Sequence, residues 1–293
     1  MTLFKLVIAK ETIDSEMPIP MMILMMRIKP MLTRYPNIRV SPSACVVGTR
    51  VLMIFGLSCG LLQSSSVLAG ENQDKCLKTF NYSIYLSGLH TGKMTRIEKW
   101  QGKSAIITSK SEASILGIGT QYQQRSEVSW SNITNEWLTD NFHQQVSGFR
   151  SRDMHVTVAN NGLESRVDLD GDITAYQSKS IPLRDVDTLA IQIREYLILG
   201  RQQFALVRQA SDALEPYQYY VKSAVTATIP PWGEMQLIPV EQTGADEVTY
   251  FFAPSMNFQL VKAHYHGFIL QGLIELDSYV SSCNIITKSA PLG

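Results

Sequence analysis

Apolar and polar residues alternate with a period of two along much of this chain, and that period is typical of β-strands. The clearest segment runs from Phe80 to Leu86, where the apolar side chains are Phe80, Tyr82, Ile84 and Leu86. Alternate side chains of a strand lie on the same face. These four residues are therefore predicted to form one buried stripe.

Similar segments follow, separated by turns rich in glycine and asparagine, such as Ser87–Gly92 and Asn160–Gly162. Such turns favour antiparallel hairpins because Gly and Asn tolerate a positive φ. About a dozen short strands are predicted. Beyond 80–86 they cover residues 93–100, 104–113, 122–130, 137–146, 154–158, 163–169, 204–207, 217–229, 235–241, 248–253, 258–266 and 268–280.

One segment has helical spacing instead. Leu189, Ile193 and Leu197 recur every four residues, and Asp185 or Asp187 could serve as the N-cap. A helix is predicted over about residues 187–203, with Gly200 as a position where it could end or kink. Its charged residues are expected to form a solvated face, with a lipid headgroup contact as the alternative; they are Arg194, Glu195 and Arg201.

The predicted fold class is mostly β: a strongly curved antiparallel sheet or open β-barrel with this one internal helix. No repeat or low-complexity linker divides residues 70–293, so they are predicted to form a single β-rich domain. Outside the first 69 residues the chain holds 19 basic and 23 acidic residues, a net charge of −4. A nucleic-acid-binding protein would show a basic excess, so this class is not expected.

The N-terminal part has the pattern of a secretory signal. A charge-free apolar run at residues 51–62 follows Arg50, and residues 64–69 end in a small-residue cleavage site at Ala69. Twelve residues span about 18 Å as a helix, too short for a membrane anchor. We expect the leader 1–69 to be cleavable and overextended at its start, with Met31 or a later codon as the true start and Gly70 as the first mature residue.

Removal of this leader would also remove Cys45 and Cys59 and leave Cys76 and Cys283. An even number of cysteines in an oxidising compartment favours a disulfide. The prediction is a Cys76–Cys283 bridge that ties the two ends of the domain together, the alternative being two unpaired thiols.

An ordered set of motifs over residues 78–280 resembles the bacterial exported proteins of domain-of-unknown-function family 3108. The set comprises Tyr82 with Gly88 and Gly92, the helix 187–200, the turn at 231–234 and the segment Thr249–Val261. The resemblance implies a β-rich fold in the Gram-negative periplasm. It implies no established activity and no catalytic residues.

Candidate chemical sites are weak. His264 and His266 would share a strand face, but two ligands are too few for a metal site. The acidic segment 168–172 lacks the glycine and glutamate of a calcium loop. No G-x-S-x-G motif is present. We therefore expect no catalytic residues, no metal ligands and no cofactor.

Aromatic residues permit two interpretations. Trp100, Trp130, Trp137 and Trp232 could form a carbohydrate or lipid platform, but core packing is the preferred interpretation. The preferred function is a non-enzymatic binding module for an apolar or lipidic ligand. Its site would lie between the first stripe and the helix, with the residues Phe80, Tyr82, Ile84, Leu86, Leu189, Ile193 and Leu197. Alternatives are a structural or interaction protein of the cell envelope without a small-molecule ligand and, less favoured, a hydrolase.

Overall fold

A computed structural model describes residues 75–115, 118–148, 151–267 and 271–283 of the 293-residue chain. The predicted leader, with its cleavage site and start codon, lies outside the described residues. Among the residues described, no helix has the length and apolar character that a membrane span requires.

Sixteen strands and one α-helix make up the described chain, with two short 3₁₀ turns at Asn160–Gly162 and Pro254–Met256. The elements are β1 (Lys75–Leu86), β2 (Leu89–Gln101), β3 (Ser104–Ile115), β4 (Ile118–Ser131), β5 (Glu136–Gly148), β6 (Arg152–Ala159), β7 (Glu164–Leu169), β8 (Asp172–Gln177), β9 (Leu183–Arg184), α1 (Val186–Ile198), β10 (Gln203–Gln209), β11 (Leu214–Val221), β12 (Val225–Ile229), β13 (Gly233–Gly244), β14 (Val248–Ala253), β15 (Gln259–Tyr265) and β16 (Gly272–Ser281).

The strands form one sheet in which most neighbours are successive in the chain. β1 to β8 form an antiparallel meander, and β10 to β16 form a second one from which β12 branches by pairing with β13. The pairing of β1 with β16 joins the two meanders. The short β9 runs parallel to β10. The order of strands therefore ends at β8 on one side and at β9 on the other, and the sheet is not closed.

Bulges and strand length account for the curvature of this sheet. The first five strands are 12 to 14 residues long, and twist accumulates along such strands. Register shifts at Asn81/Tyr82, Ile84/Tyr85, Glu127/Val128 and Phe251/Phe252 add local twist. The predicted fold class, a curved open antiparallel sheet with one internal helix, is confirmed.

The helix is shorter than predicted. It ends at Ile198, not at Gln203, because Gly200 adopts a left-handed conformation with φ of 72°. The N–H of Leu199 donates to the carbonyl of Glu195 and closes the last turn. Gln203 then begins β10. The interpretation of Gly200 as a helix end was right, and the extension beyond it was wrong.

Other elements also differ from the sequence prediction. The first hairpin turn contains only Ser87 and Gly88, so Gly92 lies inside β2. The segment predicted as one strand over residues 217–229 is two strands, β11 and β12. β8 and β9 were not predicted; β8 is exposed along nearly its whole length, and β9 has only two residues, so neither has a clear apolar alternation.

The apolar faces of the sheet surround α1. Leu189, Ile193 and Leu197 belong to a buried cluster with residues of β10, β11, β13 and β14. On another side of the helix, Ile191 packs against Ala105, Ile107 and Val128 of β3 and β4. The helix is thus enclosed by the sheet on two sides, and its position determines what space remains inside.

Candidate functional site

The N-terminus of α1 is held by a buried aspartate. Asp185 Oδ1 accepts hydrogen bonds from the N–H groups of Asp187 at 2.7 Å and Thr188 at 3.2 Å. Its Oδ2 accepts from the hydroxyl groups of Thr139 at 2.6 Å and Thr188 at 2.5 Å. Asp185 therefore serves as the N-cap and also joins the helix to β5.

A second buried aspartate joins the helix to β2. Asp187 pairs with the guanidinium of Arg96 and accepts hydrogen bonds from the hydroxyl groups of Ser109 and Ser126, each at 3.2 Å. Burial raises the pKa of Asp187, against the opposing effect of the Arg96 charge. These contacts hold the first turn of α1 against the sheet.

A cavity of about 120 Å³ lies between α1 and the inner face of the sheet. Its size is comparable to an engineered apolar cavity of about 150 Å³ that binds benzene. Much of its wall is aromatic and comes from both meanders: Phe80, Tyr82, Tyr217, Tyr219, Tyr250 and Phe252. Ala190 contributes the smallest side chain on the helical wall.

One wall of the cavity carries charge. Lys78 and Glu98, which face each other on β1 and β2, are only 6% and 5% exposed. Lys78 Nζ lies 3.6 Å from Glu98 Oε2 and 5.0 Å from the centre of the Trp100 ring. The first distance exceeds that of a direct charge-assisted hydrogen bond. Burial lowers the pKa of Lys78 to about 8, although Glu98 opposes this effect.

The carboxylate of Glu98 accepts hydrogen bonds from two other side chains. Arg96 Nε donates to its Oε1 at 3.0 Å, and Trp100 Nε1 donates to its Oε2 at 2.9 Å. Burial by itself would raise the pKa of Glu98, but the charges of Arg96 and Lys78 lower it overall. Glu98 is therefore a carboxylate shared among Arg96, Trp100 and Lys78, and Lys78 lines the cavity beside it.

Arg194 adds a second cation at the rim. Its Nε donates to the carbonyl of Asn257 at 2.8 Å, which links α1 to the turn between β14 and β15. It is half-buried and lines the cavity. The expected solvated face of the helix is therefore wrong for Arg194, because the curved sheet folds over that side. Arg201 is exposed, as expected, and its guanidinium lies 4.1 Å from the ring centre of Tyr196.

The lining as a whole has an excess of positive charge. It contains Lys78, Arg96, Arg194 and Arg208 but only two carboxylates, Glu98 and Asp187. Arg208 forms an ion pair with Glu215, which lies outside the lining. Three cations then face two carboxylates, and an anion would complement the remaining charge.

The structure brings together four of the seven predicted site residues. Phe80, Tyr82, Leu189 and Ile193 line the cavity. Ile84 and Leu197 are buried in the surrounding core outside the lining, and Leu86 is half-buried at the end of β1. A stripe of four alternate residues on a strand spans about 20 Å, so it is longer than one small cavity and only part of it lines the wall.

The charged residues of the cavity and the aromatic residues of the second meander were not predicted from the sequence. Tyr217 and Tyr219 alternate along β11 and share a face, a signal that was visible in the sequence. Their proximity to Phe80 depends on the curvature of the whole sheet. Lys78 is in phase with the buried stripe Phe80, Tyr82 and Ile84, but its burial was not predicted because a lysine is normally exposed.

Other candidates from the sequence have structural roles. Cys76 and Cys283 form the predicted disulfide, with Cα atoms 4.8 Å apart. Asp168 accepts a hydrogen bond from the N–H of Gly171 at 2.9 Å and stabilises the β7–β8 turn. The rings of His264 and His266 are 4.5 Å apart, and within the described ranges no third histidine, cysteine or carboxylate joins them.

The tryptophans pack against other parts of the protein. The ring centres of Trp100 and Trp130 lie 5.1 Å and 5.4 Å from that of Trp137, each edge to face. Trp232 Nε1 donates to the carbonyl of Leu276 at 3.2 Å. This arrangement agrees with the core interpretation, and Trp100 in addition borders the cavity.

In fold, the chain is similar to a solved beta-barrel-like protein of domain of unknown function DUF1849 from Brucella abortus. The two share a TM-score of 0.50 and 7% sequence identity, over 72% of this chain and 98% of the other. At this identity the likeness concerns the fold alone. No family model matches the sequence, and no curated protein matches it. The resemblance to family 3108 stays a prediction.

Proposed function

We propose that this protein is a non-enzymatic binding module of the bacterial cell envelope that takes an apolar or lipidic ligand with an anionic head group. The apolar part would enter the cavity beside α1, and the head group would meet Lys78 and Arg194. The observation that carries the proposal is the combination of a largely aromatic cavity with a lining that holds more cations than carboxylates, the buried Lys78 and the half-buried Arg194 among them.

The periplasmic location is part of the proposal. It is supported by the signal-like pattern of residues 51–69. The Cys76–Cys283 disulfide supports it further, because such bridges persist in oxidising compartments.

Size limits the ligand. A cavity of about 120 Å³ accommodates a short apolar group or the end of one acyl chain. A longer chain would extend through the rim beside Arg194 or displace α1. Affinity should therefore rise by about fourfold for each methylene until the cavity is filled, and then level off.

The test uses straight-chain carboxylates from hexanoate to dodecanoate together with the neutral alcohols of the same length. Binding is followed by calorimetry and by the fluorescence of Trp100, which borders the cavity. Lys78→Met should weaken carboxylate binding at least about tenfold, as expected for loss of a buried charge partner. It should change alcohol binding much less.

Ala190→Phe should abolish binding of both series, because the ring would fill the cavity from the helix side. Ala175→Phe is the matched control, since Ala175 is exposed on β8. Absence of saturable binding in the unmodified protein would refute the proposal. Binding that is unchanged by both Lys78→Met and Ala190→Phe would also refute it.

A second candidate function, an interaction protein without a small-molecule ligand, is favoured by the open end of the sheet. Among the described strands, β8 pairs on one side only; its residues are nearly all exposed, and Ile173 is 54% exposed. Such an edge can accept a strand from a partner. Native mass spectrometry distinguishes the two candidates: a ligand-free mass for protein from its own host, together with no carboxylate binding, would favour the second.

A further inference from the structure

The register between β5 and β6 assembles three potential metal ligands on the side of the sheet away from α1. His143 of β5 lies directly opposite His155 of β6, and Gln145 lies opposite Asp153. Because residues two apart on a strand share a face, Asp153 and His155 project in the same direction. Their neighbours Phe142 and Met154 point inwards and are buried.

The ligand atoms of these three residues converge. His143 Nε2 lies 2.7 Å from Asp153 Oδ1, and His155 Nε2 lies 3.3 Å from the same oxygen. The two imidazole rings stack with their centres 3.8 Å apart. Ligand atoms of a tetrahedral zinc ion are separated by about 3.3 Å, given metal–ligand distances of about 2.0–2.1 Å. The ligand atoms of the three residues all lie within 4.8 Å of one another, and the two stacked rings would turn towards a shared ion on binding.

The surroundings of the three residues suit a cation. Gln145 Nε2 donates to Asp153 Oδ2 at 2.9 Å, which orients the carboxylate and leaves Oδ1 towards the histidines. Asp168 faces His155 from β7, and Arg125, which faces His143 from β4, is paired with Glu127.

We propose that His143, Asp153 and His155 form a binding site for a borderline divalent transition-metal ion such as Zn²⁺. Two imidazole nitrogens and one carboxylate oxygen are a ligand set that suits Zn²⁺, Ni²⁺ or Cu²⁺, whereas Mg²⁺ and Ca²⁺ prefer oxygen alone. The side chains are 34%, 43% and 59% exposed for His143, Asp153 and His155, so the remaining coordination position faces solvent. The bound ion would clamp β5 to β6.

The test uses protein with its disulfide intact, stripped with a chelator and titrated with Zn²⁺ by calorimetry. We expect one ion per chain, little response to Mg²⁺ or Ca²⁺, and a higher thermal unfolding temperature with Zn²⁺ present. His143→Asn or His155→Asn should lower the affinity at least about tenfold. All three ligands are partly exposed, so these variants should fold, which circular dichroism checks.

The matched control is the double variant His264→Asn/His266→Asn, which removes the other histidine pair of the sheet. It should leave the Zn²⁺ affinity unchanged. The ¹⁵N resonances of the His143 and His155 imidazoles should shift on addition of Zn²⁺. The proposal is overturned if Zn²⁺ does not bind saturably below millimolar concentration, or if the control variant loses binding while His143→Asn and His155→Asn retain it.

Discussion

At the scale of the residue, Asp185 is the N-cap of α1 and joins the helix to β5. Replacing it with Ala would remove the N-cap and leave the hydroxyl groups of Thr139 and Thr188 without their buried acceptor. We expect Asp185→Ala to lower the free energy of unfolding by at least about 2 kcal/mol. Chemical denaturation measures this, with Asp172→Ala on the exposed strand β8 as control. Equal stability of the two variants would show that the cap is dispensable.

Lys78 gives a pH-dependent prediction at the same scale. Because burial lowers its pKa from 10.5 to about 8, the unfolded chain binds more protons than the folded protein between these two pH values. Below about pH 8, Lys78 is charged in both states, and its burial lowers the free energy of unfolding by the full amount. This destabilisation decreases as the pH rises towards 10.5. The free energy of unfolding, compared with that of Lys78→Met, should rise over this interval by up to about 3 kcal/mol.

The measurement is denaturant unfolding of both proteins at several pH values from 7 to about 10.5. The comparison with Lys78→Met cancels the titration of groups that both proteins share. Lys222→Met serves as a control, because the Lys222 side chain is 47% exposed. A stability difference between wild type and Lys78→Met that stays constant with pH would contradict the assigned burial effect.

At the scale of the element, α1 is stabilised by packing on two sides. Ile191 is 4% exposed and packs against β3 and β4, whereas Ile198, at the end of the same helix, is 43% exposed. Ile191→Ala should lower the free energy of unfolding by about 2–4 kcal/mol, since it opens a cavity in a packed core. Ile198→Ala, the same substitution on the same helix, should cost less than about 1 kcal/mol. A similar loss in both variants would mean that α1 does not pack inside the sheet as described.

At the scale of the whole molecule, the Cys76–Cys283 disulfide connects β1 to the residues that follow β16, near the two ends of the described chain. It closes a loop of 207 residues, for which the chain-entropy relation gives an upper limit of about 5 kcal/mol. The double variant Cys76→Ala/Cys283→Ala should therefore unfold at a clearly lower denaturant concentration. Thiol counting on unfolded, unreduced mature protein should find no free thiol, and two free thiols would exclude the bridge.

The strand signals of this chain were largely readable from local sequence. Alternation identified Phe80, Tyr82 and Ile84 as one buried face, and all three are at most 3% exposed. Asp185 was among the two predicted N-caps, and Gly200 was a predicted helix end. The strand boundaries were predicted wrongly where the alternation was weak, as in β8, or where no glycine, proline or asparagine marked a break, as at residues 222–224 between β11 and β12.

The residues of each candidate site come from separate segments of the chain, so no single segment predicts either site. Lys78 and Arg194 are 116 positions apart in the sequence, yet they line the same cavity, because β1 pairs with β16 and the sheet curves around α1. Similarly, His143 meets Asp153 and His155 only in the register that β5 and β6 adopt. The sequence by itself determined which segments are strands or helix, since side-chain periodicity and capping are local. Only the tertiary structure decided which faces meet and which charges are buried, because strand register and sheet curvature follow from contacts between distant parts of the chain.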